Sequence, residues 1–313
     1  MAILLLGWNS KLGSALYEKI IHSDQEIRTE GGATEGLDYA KDPPFRTLFA
    51  KHKPRWIINC NALTSHSECE HNPAKAFAAN AWAPALLAKL CQEENVGLVH
   101  LSTNFVFSRP PAHGGFLTEE DPVEPFNIYG KTKAEGERLI QAVMEYSDCS
   151  YYIVRSSWLF GKGATCNQVD ADLLEDMARA ALPNRRVKAT SFGFERLYAP
   201  TNVHELADTI LQMINQTPPR GIYHAAGSLA SPIGSLAQYV SEIVTEITNE
   251  LVHAEIDVQP LVPNGRSQVP CNAILDCNKL RNQGIRTPRA WIEGAESYIR
   301  DVIFQLLSEE MQA

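Results

Sequence analysis

The sequence predicts an α/β protein in which a doubly wound parallel sheet is joined by a smaller C-terminal domain whose segments interleave with the sheet. Three observations carry this prediction. In the first half of the chain, short and almost wholly apolar runs alternate with helical patterns, as in parallel strands that helices cover on both faces. The first of these runs ends in a glycine turn. The length of 313 residues exceeds the roughly 100–200 residues of a usual single domain, which leaves room for a second unit.

The predicted elements follow from hydrophobic periodicity. A strand at 2–6 leads through Gly7 into a helix, because apolar residues recur at helical spacing from 12 to 20. Further strands are predicted at 26–28, 55–59, 96–102, 151–155 and 221–225. Helices are predicted at 73–92, 129–147, 169–182, 202–216, 231–247 and 289–308. The weaker pattern beyond residue 160 predicts a smaller, helix-rich unit.

The composition disfavours several classes of protein. The chain is 44% hydrophobic and 21% charged, which is ordinary for a globular protein. The net charge of −9, without a basic cluster in the sequence, argues against nucleic-acid binding. The apolar runs are too short to cross a membrane, and the N-terminal segment lacks the basic residues of a signal peptide. We therefore expect a cytoplasmic protein.

No metal site is expected. The seven cysteines lack the CxxC spacing of zinc sites and are predicted to be reduced thiols. The polar stretch 66–71 contains two histidines, two glutamates and a cysteine, all of them metal-ligating residue types. It is interpreted instead as a loop that leads to a helix cap at Asn72.

The turn after the first strand is a candidate phosphate site. In a dinucleotide-binding turn, glycines let the backbone curl tightly and approach the pyrophosphate, while the helix N-terminus presents its N–H groups. Gly7 and Gly13 occupy the outer glycine positions of such a turn, and Ser10 stands at the middle one. The same residues also suit an ordinary junction of strand, turn and helix in which Ser10 is the N-cap.

The end of the second strand bears on the choice of cofactor. An Asp or Glu there holds the ribose 2′-hydroxyl of NAD, whereas an arginine accommodates the 2′-phosphate of NADP. Arg28 lies in this region and Glu30 is close to it. We therefore predict NADPH, with NADH as the alternative. A solvent-facing Arg28 without a cofactor role is the other interpretation.

Tyr129 and Lys133 form the candidate catalytic pair. Their spacing of four residues places both on one face of a helix. A carbonyl reductase must give a proton to the developing alkoxide, and a neighbouring cation lowers the pKa of a tyrosine from its usual value of about 10. Ser102 and Thr103 end the preceding strand, at the sheet edge where open α/β proteins bind ligands. A hydroxyl at that edge would hydrogen-bond the carbonyl.

These motifs resemble those of the extended short-chain dehydrogenases/reductases, and within that superfamily the chain is similar to the dTDP-4-dehydrorhamnose reductases. The similarity runs in family order along nearly the whole chain. Besides the first turn, the matching stretches are 59–64 with Asn80 downstream, 101–107, 127–137, 155–161, 199–201, 221–227 and 273–280.

The resemblance implies NAD(P)H-dependent reduction of a 4-keto group on a nucleotide-linked deoxysugar. It implies that Thr103, Tyr129 and Lys133 carry catalysis, with Lys133 also holding the nicotinamide ribose. It assigns to the cofactor Gly7, Asn9, Ser10, Lys11, Leu12, Gly13, Arg28, Asp38, Tyr39, Ala62, Leu63, Thr64, Asn80, Tyr129 and Lys133. It assigns to the sugar Thr103, Asn104, Phe105, Trp158 and Arg196. For Trp158, a purely structural role as a core aromatic is the alternative.

The chain is expected to divide near residue 160. Residues 1–160 would form the dinucleotide-binding domain, to which 190–225 return in part, and residues 161–313 would form mainly the substrate-binding domain. By analogy with the superfamily, the helix that carries Tyr129 would allow a homodimer. Its apolar residues suit an intramolecular core equally well.

Several positions depart from the family pattern. They are Ser10 in place of the middle glycine, Asn61 in place of alanine, Asn104-Phe105 in place of Asp-Tyr, Arg196 in place of glutamine, and a thinned arginine-rich segment at 266–270. These departures suit drift in a working enzyme or a changed sugar, and the alternative is a cofactor-binding regulatory or scaffolding subunit with weakened turnover. Another extended reductase or a nucleotide-sugar epimerase is a third possibility. Retention of Thr103, Tyr129 and Lys133 favours the reductase.

Overall fold

A computed structural model describes residues 2–23, 26–30, 42–108, 110, 112, 114–163, 172–184, 186–192, 197–259 and 273–310. Its strands are β1 (Ala2–Leu6), β2 (Glu26–Glu30), β3 (Trp56–Asn59), β4 (Gly97–Thr103), β5 (Tyr151–Ser156), β6 (Leu159–Phe160), β7 (Arg186–Phe192), β8 (Leu197–Tyr198), β9 (Thr201–Asn202), β10 (Gly221–His224), β11 (Ser231–Pro232) and β12 (His253–Gln259). Its helices are α1 (Lys11–Ile21), α2 (Asp42–His52), α3 (His66–His71), α4 (Pro73–Phe77), α5 (Ala83–Glu94), α6 (Ile128–Met144), α7 (Leu173–Asn184), α8 (Val203–Gln216), α9 (Ile233–Thr248), α10 (Asn278–Arg281) and α11 (Ile292–Glu310).

Six strands form the central sheet, in the order β10-β5-β4-β3-β1-β2. Every neighbouring pair in it is parallel, which confirms the predicted fold class. The chain leaves β1 toward β2 and then returns to the other side of β1 as β3. The strand order therefore reverses between β1 and β3, and open α/β sheets bind their ligands beyond the strand ends at such a point.

Helices cover both faces of this sheet, as the doubly wound arrangement requires. Alternate residues of β1 face opposite ways: Ile3 and Leu5 pack in a core with α1 and α8, whereas Leu4 and Leu6 pack in a core with α2, α5 and α6. All four side chains are at most 1% exposed. Burial on both faces explains why this strand is apolar without alternation.

The smaller unit packs three helices on a short parallel ribbon. Helices α7, α9 and α11 enclose their own apolar core, and β7 pairs with β12 in parallel along seven residues. Sequence analysis predicted the helices but missed both strands of the ribbon. β12 alternates polar and apolar residues throughout, and β7 does so from Arg186 to Thr190, so each segment had a strand pattern that was overlooked. Their pairing with each other was not visible in either segment, because the two lie far apart in the chain.

Two further predictions need correction. The stretch 66–71, predicted as a loop, forms the short helix α3, because the Ser65 hydroxyl accepts a hydrogen bond from the Glu68 N–H and caps it. Asn72 then caps α4, as predicted. The single helix predicted at 73–92 is interrupted by a π-helical turn at Ala78–Trp82. Within the described part of the chain, no helix is both long and apolar enough to cross a membrane.

Candidate active site

A cleft of about 490 Å³ lies over the carboxyl ends of β1, β3, β4 and β5, and its volume is in the range of small-molecule sites. The ends of these strands, the segments that follow them and α6 line most of it, and α7 of the smaller unit closes one side. The lining residues are Ser10, Lys11, Leu12, Cys60, Ala62, Thr64, Ser65, His66, Leu101, Ser102, Thr103, Asn104, Phe105, Tyr129, Lys133, Ser156, Ser157, Trp158, Leu159, Leu173, Asp176 and Leu206.

The glycine turn brings the N-terminus of α1 to this cleft. Gly7 has a φ of +73°, which an L side chain rarely adopts. Gly13 leaves no space for a side chain, since a Cβ atom there would lie 2.0 Å from the Gly7 carbonyl oxygen. Ser10 is the N-cap, as predicted: its hydroxyl accepts from the Gly13 N–H and donates to the Gly7 carbonyl. The first turn of α1 contains no acidic residue, so its N–H groups are suited to an anion.

Lys11 lines the cleft, and its side chain is bound within the protein. Its buried ammonium lies 3.1 Å from an Asp172 carboxylate oxygen and 3.4 Å from the Gly161 carbonyl oxygen. Asp172 also accepts N–H bonds from Leu174 and Glu175 at the start of α7. Lys11 thus ties the glycine turn to the smaller unit.

Asn80 holds the loop after β3 and does not line the cleft. Its side-chain oxygen accepts from the Leu63 N–H at 2.8 Å, and its amide nitrogen donates to the Leu63 carbonyl and to Thr132. These bonds use both polar atoms of a fully buried side chain. Ala62 and Thr64, on either side of Leu63, therefore face the cleft.

Close backbone packing sets the start of α6, which carries Tyr129, against the segment that follows Thr103. The Asn127 side chain caps α6 by accepting from the Gly130 N–H at 2.7 Å. A Cβ atom at Gly130 would lie 2.2 Å from the Phe105 carbonyl oxygen, so only glycine allows α6 to approach the segment that follows Thr103. Both Tyr129 and Lys133 then reach the cleft from α6, as their spacing predicts.

Lys133 is deeply buried at the base of the cleft. Its Nζ atom lies 2.6 Å from the Leu101 carbonyl oxygen and 3.2 Å from His100 Nε2. Burial lowers the pKa of Lys133 to about 8, although the neighbouring Glu137 opposes this shift. Desolvation also lowers the pKa of His100 well below its usual value, which keeps that imidazole neutral.

Aromatic rings form one wall of the cleft, and His66 is a member that sequence analysis missed. The His66 ring centroid lies 4.6 Å from that of Phe105 and 5.0 Å from that of Tyr129, and the Trp158 ring lies 6.0 Å from Phe105. Burial lowers the pKa of His66, against the charge of Glu70. In the sequence, the only sign of a role for His66 was that it is a histidine in a polar stretch. Its side chain reaches the cleft because that stretch forms a helix.

Two polar atoms at the cleft lack hydrogen-bond partners among the described residues. They are Asn104 Oδ1 and Ser156 Oγ, both buried. The amide nitrogen of Asn104 donates to the Ala273 carbonyl at 2.9 Å, which fixes the side chain. Buried polar atoms cost free energy when they stay unpaired, so both atoms are suited to meet polar groups of a ligand.

Some predicted site residues are not placed. Asp38, Tyr39 and Arg196 lie outside the described residues. Arg28 lies on β2, where its backbone pairs with Leu4 of β1. Conversely, Cys60, Ser65 and Ser157 line the cleft without having been predicted. Burial raises the pKa of the Cys60 thiol to about 12, so it remains protonated.

The parallel sheet, the glycine turn at its switch point and the paired Tyr129 and Lys133 define an NAD(P)H-dependent oxidoreductase of the extended short-chain dehydrogenase/reductase type. Comparison with known families gives a more specific assignment. The chain belongs to the family described as RmlD substrate binding domain, whose family model matches residues 1–304.

Individual relatives agree with this assignment. A dTDP-4-dehydrorhamnose reductase of Streptomyces griseus is 34% identical over 206 residues, which cover 64% of this chain and 63% of the relative. The crystal structure of a dTDP-4-dehydrorhamnose reductase from Clostridium acetobutylicum ATCC 824 superposes with a TM-score of 0.79 at 25% identity, covering 96% of this chain and 99% of the other. The structure of a dTDP-4-dehydrorhamnose reductase from Bacillus anthracis str. Ames, solved in complex with NADP, also superposes with a TM-score of 0.79. Its identity to this chain is 24%, and the match covers 96% of this chain and 99% of the other.

Proposed function

We propose that the protein reduces the 4-keto group of a nucleotide-linked deoxysugar with hydride from NADPH. The observation that carries this proposal is the convergence of Thr103, Tyr129 and Lys133 on one cleft, into which the glycine turn also opens. Relatives named dTDP-4-dehydrorhamnose reductase support a dTDP-linked 4-keto-6-deoxysugar as the substrate.

The residues of the glycine turn fit a dinucleotide. The N-terminus of α1 offers N–H groups without a nearby acidic residue of its own first turn. Beside Gly7, both polar atoms of the buried Asn61 side chain lack a partner among the described residues. NADP in the related Bacillus anthracis structure supports NADPH over NADH. When bound, NADPH supplies the hydride for the carbonyl carbon.

The chain's own residues supply the proton and the orientation. The Thr103 hydroxyl, at the end of β4, would donate a hydrogen bond to the keto oxygen. Tyr129 would give its phenolic proton to that oxygen as the carbonyl is reduced. The Lys133 ammonium would stabilise the resulting phenolate and hold the cofactor ribose. Asn104 Oδ1 and Ser156 Oγ would bind sugar hydroxyls, because both are buried acceptors at the cleft.

The test is turnover by the purified protein. NADPH oxidation is followed with a panel of 4-keto nucleotide sugars, and the products are analysed by mass spectrometry and NMR. We expect stoichiometric NADPH loss and a 4-hydroxy sugar. Cofactor binding without NADPH consumption across the panel would support the regulatory subunit instead. An isomerised sugar without net NADPH loss would identify an epimerase.

The reductase should lose activity as the pH rises through about 8, where Lys133 deprotonates. Because burial lowers this pKa, the ammonium that makes Tyr129 a better acid is present below that pH and absent above it. We expect kcat/KM to be level on the acid side and to fall about tenfold per pH unit on the basic side. A profile of kcat/KM against pH measures this. A level profile through pH 9.5 would contradict it.

Replacing His66 should affect substrate binding more than chemistry. The neutral ring packs on Phe105 and Tyr129 at the cleft, where it can form one hydrogen bond and a stacking contact with the sugar. For His66→Val we expect KM for the sugar to rise roughly tenfold, with a smaller change in kcat. A tenfold change in binding corresponds to the free energy of about one such hydrogen bond. His71→Val is the matched control, because His71 is exposed at the other end of α3. Unchanged KM in His66→Val would refute this role.

A further inference from the structure

A series of buried hydrogen bonds leads from Lys133 to His100 and Asn59, two residues without a role in the proposed reaction. The Asn61 backbone N–H donates to Asn59 Oδ1 at 3.1 Å. Asn59 Nδ2 lies 3.1 Å from His100 Nδ1, and His100 Nε2 lies 3.2 Å from Lys133 Nζ. Asn59 is 5% exposed, His100 1% and Lys133 2%, so the chain is shielded from solvent.

The orientation of the Asn59 amide fixes the tautomer of His100. A backbone N–H can only donate, so the Asn59 atom that faces Asn61 must be the oxygen. The Asn59 amide nitrogen then points at His100 Nδ1 and donates to it. A neutral imidazole has one N–H, and with Nδ1 acting as the acceptor, that N–H is on Nε2, directed at Lys133.

This tautomer matches only the free-base form of Lys133. An amine nitrogen has a lone pair that can accept from the Nε2–H, and it still has N–H groups to donate to the Leu101 carbonyl at 2.6 Å. An ammonium has no lone pair, so in that state two N–H groups would face each other across 3.2 Å. Protonating Lys133 therefore breaks this contact or forces His100 to change tautomer.

We infer that His100 is a positioning residue which, held by Asn59, binds the free base of Lys133 and so couples the protonation of Lys133 to the tautomer of His100. Its effect on catalysis rests on the proposed function, whereas the coupling itself does not. In the reductase, the coupling makes the Lys133 proton easier to release and so lowers the pH above which the ammonium used in the proposed reaction is lost.

The other titratable groups around this pair do not explain the coupling. Glu137, one turn further along α6, favours the charged form of Lys133 but is bound by Arg155. The Cys60 thiol, whose pKa is about 12, stays neutral in the working range. Tyr129 lies four residues earlier on α6. Of the titratable groups named here, only His100 hydrogen-bonds Lys133 Nζ.

The first experiment needs no activity. The ring nitrogens of the histidines are followed by 15N NMR, and the lysine Cε resonances by 13C NMR, from about pH 6 to about pH 10. His100→Gln and Lys133→Met identify the two resonances. We expect an unprotonated Nδ1 and a protonated Nε2 on His100 at high pH, and a change in both at the midpoint at which Lys133 titrates. An Nδ1–H tautomer at high pH, or a His100 signal that ignores the Lys133 midpoint, would overturn the inference.

The second experiment reverses the tautomer with Asn59→Asp. The carboxylate would accept from both the Asn61 N–H and a His100 Nδ1–H, which turns Nε2 into an acceptor for the Lys133 ammonium. We expect His100 to switch to the Nδ1–H form and the Lys133 midpoint to rise by about one pH unit or more. A rise without the tautomer switch would reflect the added charge alone and would contradict the coupling. If this variant fails to fold, the measurements on the unmodified protein still decide the question.

These outcomes are separate from those of the proposed function. The NMR result can hold in a protein that reduces no sugar, and a working reductase can have an uncoupled His100. If both proposals hold, the fall of kcat/KM at basic pH should occur at a higher pH in Asn59→Asp. The shift in pH should equal the shift that NMR gives for the Lys133 midpoint.

Discussion

Tyr129→Phe should lower kcat/KM for the keto sugar by a factor on the order of 100 or more. The change removes only the phenolic oxygen, so the keto oxygen loses its proton donor while the ring contacts with His66 and Phe105 remain. NADPH oxidation by wild type and variant, at matched protein concentration and temperature, measures the loss.

The matched control for this prediction is Tyr146→Phe. Tyr146 is 87% exposed and lies beyond the end of α6, so the same chemical change there should leave turnover as it was. Cofactor binding and thermal unfolding of Tyr129→Phe should also stay close to wild type. A Tyr129→Phe enzyme with at least half the wild-type rate would remove Tyr129 from the catalytic role.

Glu137→Ala should destabilise the fold by about 3–5 kcal/mol, because it leaves a buried guanidinium without its partner. Arg155 is 1% exposed and donates from Nε at 3.0 Å and from a terminal nitrogen at 2.6 Å to the two Glu137 oxygens. The Ser102 hydroxyl, beside Thr103, donates to the same carboxylate. Denaturant unfolding, with stability extrapolated to water, measures the loss.

Glu135→Ala is the control for this second prediction. Glu135 forms an equally short ion pair with Arg138, at 2.7 Å and also on α6, but that pair is exposed to solvent. Exposed pairs contribute little to stability, so its removal should hardly move the unfolding midpoint. Equal losses of unfolding free energy in the two variants would show that burial does not determine how much the Glu137–Arg155 pair contributes to stability.

The central sheet could be predicted from sequence because local pattern determines it. β1 and the first four residues of β5 are continuous apolar runs that suit burial on both faces, and Ser10 is an N-cap residue with a recognisable sequence context. The pairing of β7 with β12 could not be predicted in this way. It joins segments more than sixty residues apart, such as Val187 with Ala254, and the polar–apolar alternation of each segment does not identify its partner.

The candidate site shows the same division between local and distant determinants. Tyr129 and Lys133 were predicted because a spacing of four fixes their common face on a helix. Nothing in the sequence indicated that the Lys11 ammonium pairs with Asp172, 161 positions away. His66 was passed over because its role depends on a helix turn capped by Ser65. Residue type is visible in a sequence, but the partner of a buried side chain is set by the tertiary fold.

The most direct test of the account follows the hydride itself. The protein is incubated with a dTDP-4-keto-6-deoxysugar and NADPH that carries deuterium at the transferred position of nicotinamide C4, and the product is analysed by mass spectrometry and NMR. We expect a 4-hydroxy sugar with one deuterium on sugar C4, formed in step with NADP. A sugar recovered without deuterium at C4, from protein shown to bind NADPH, would contradict it.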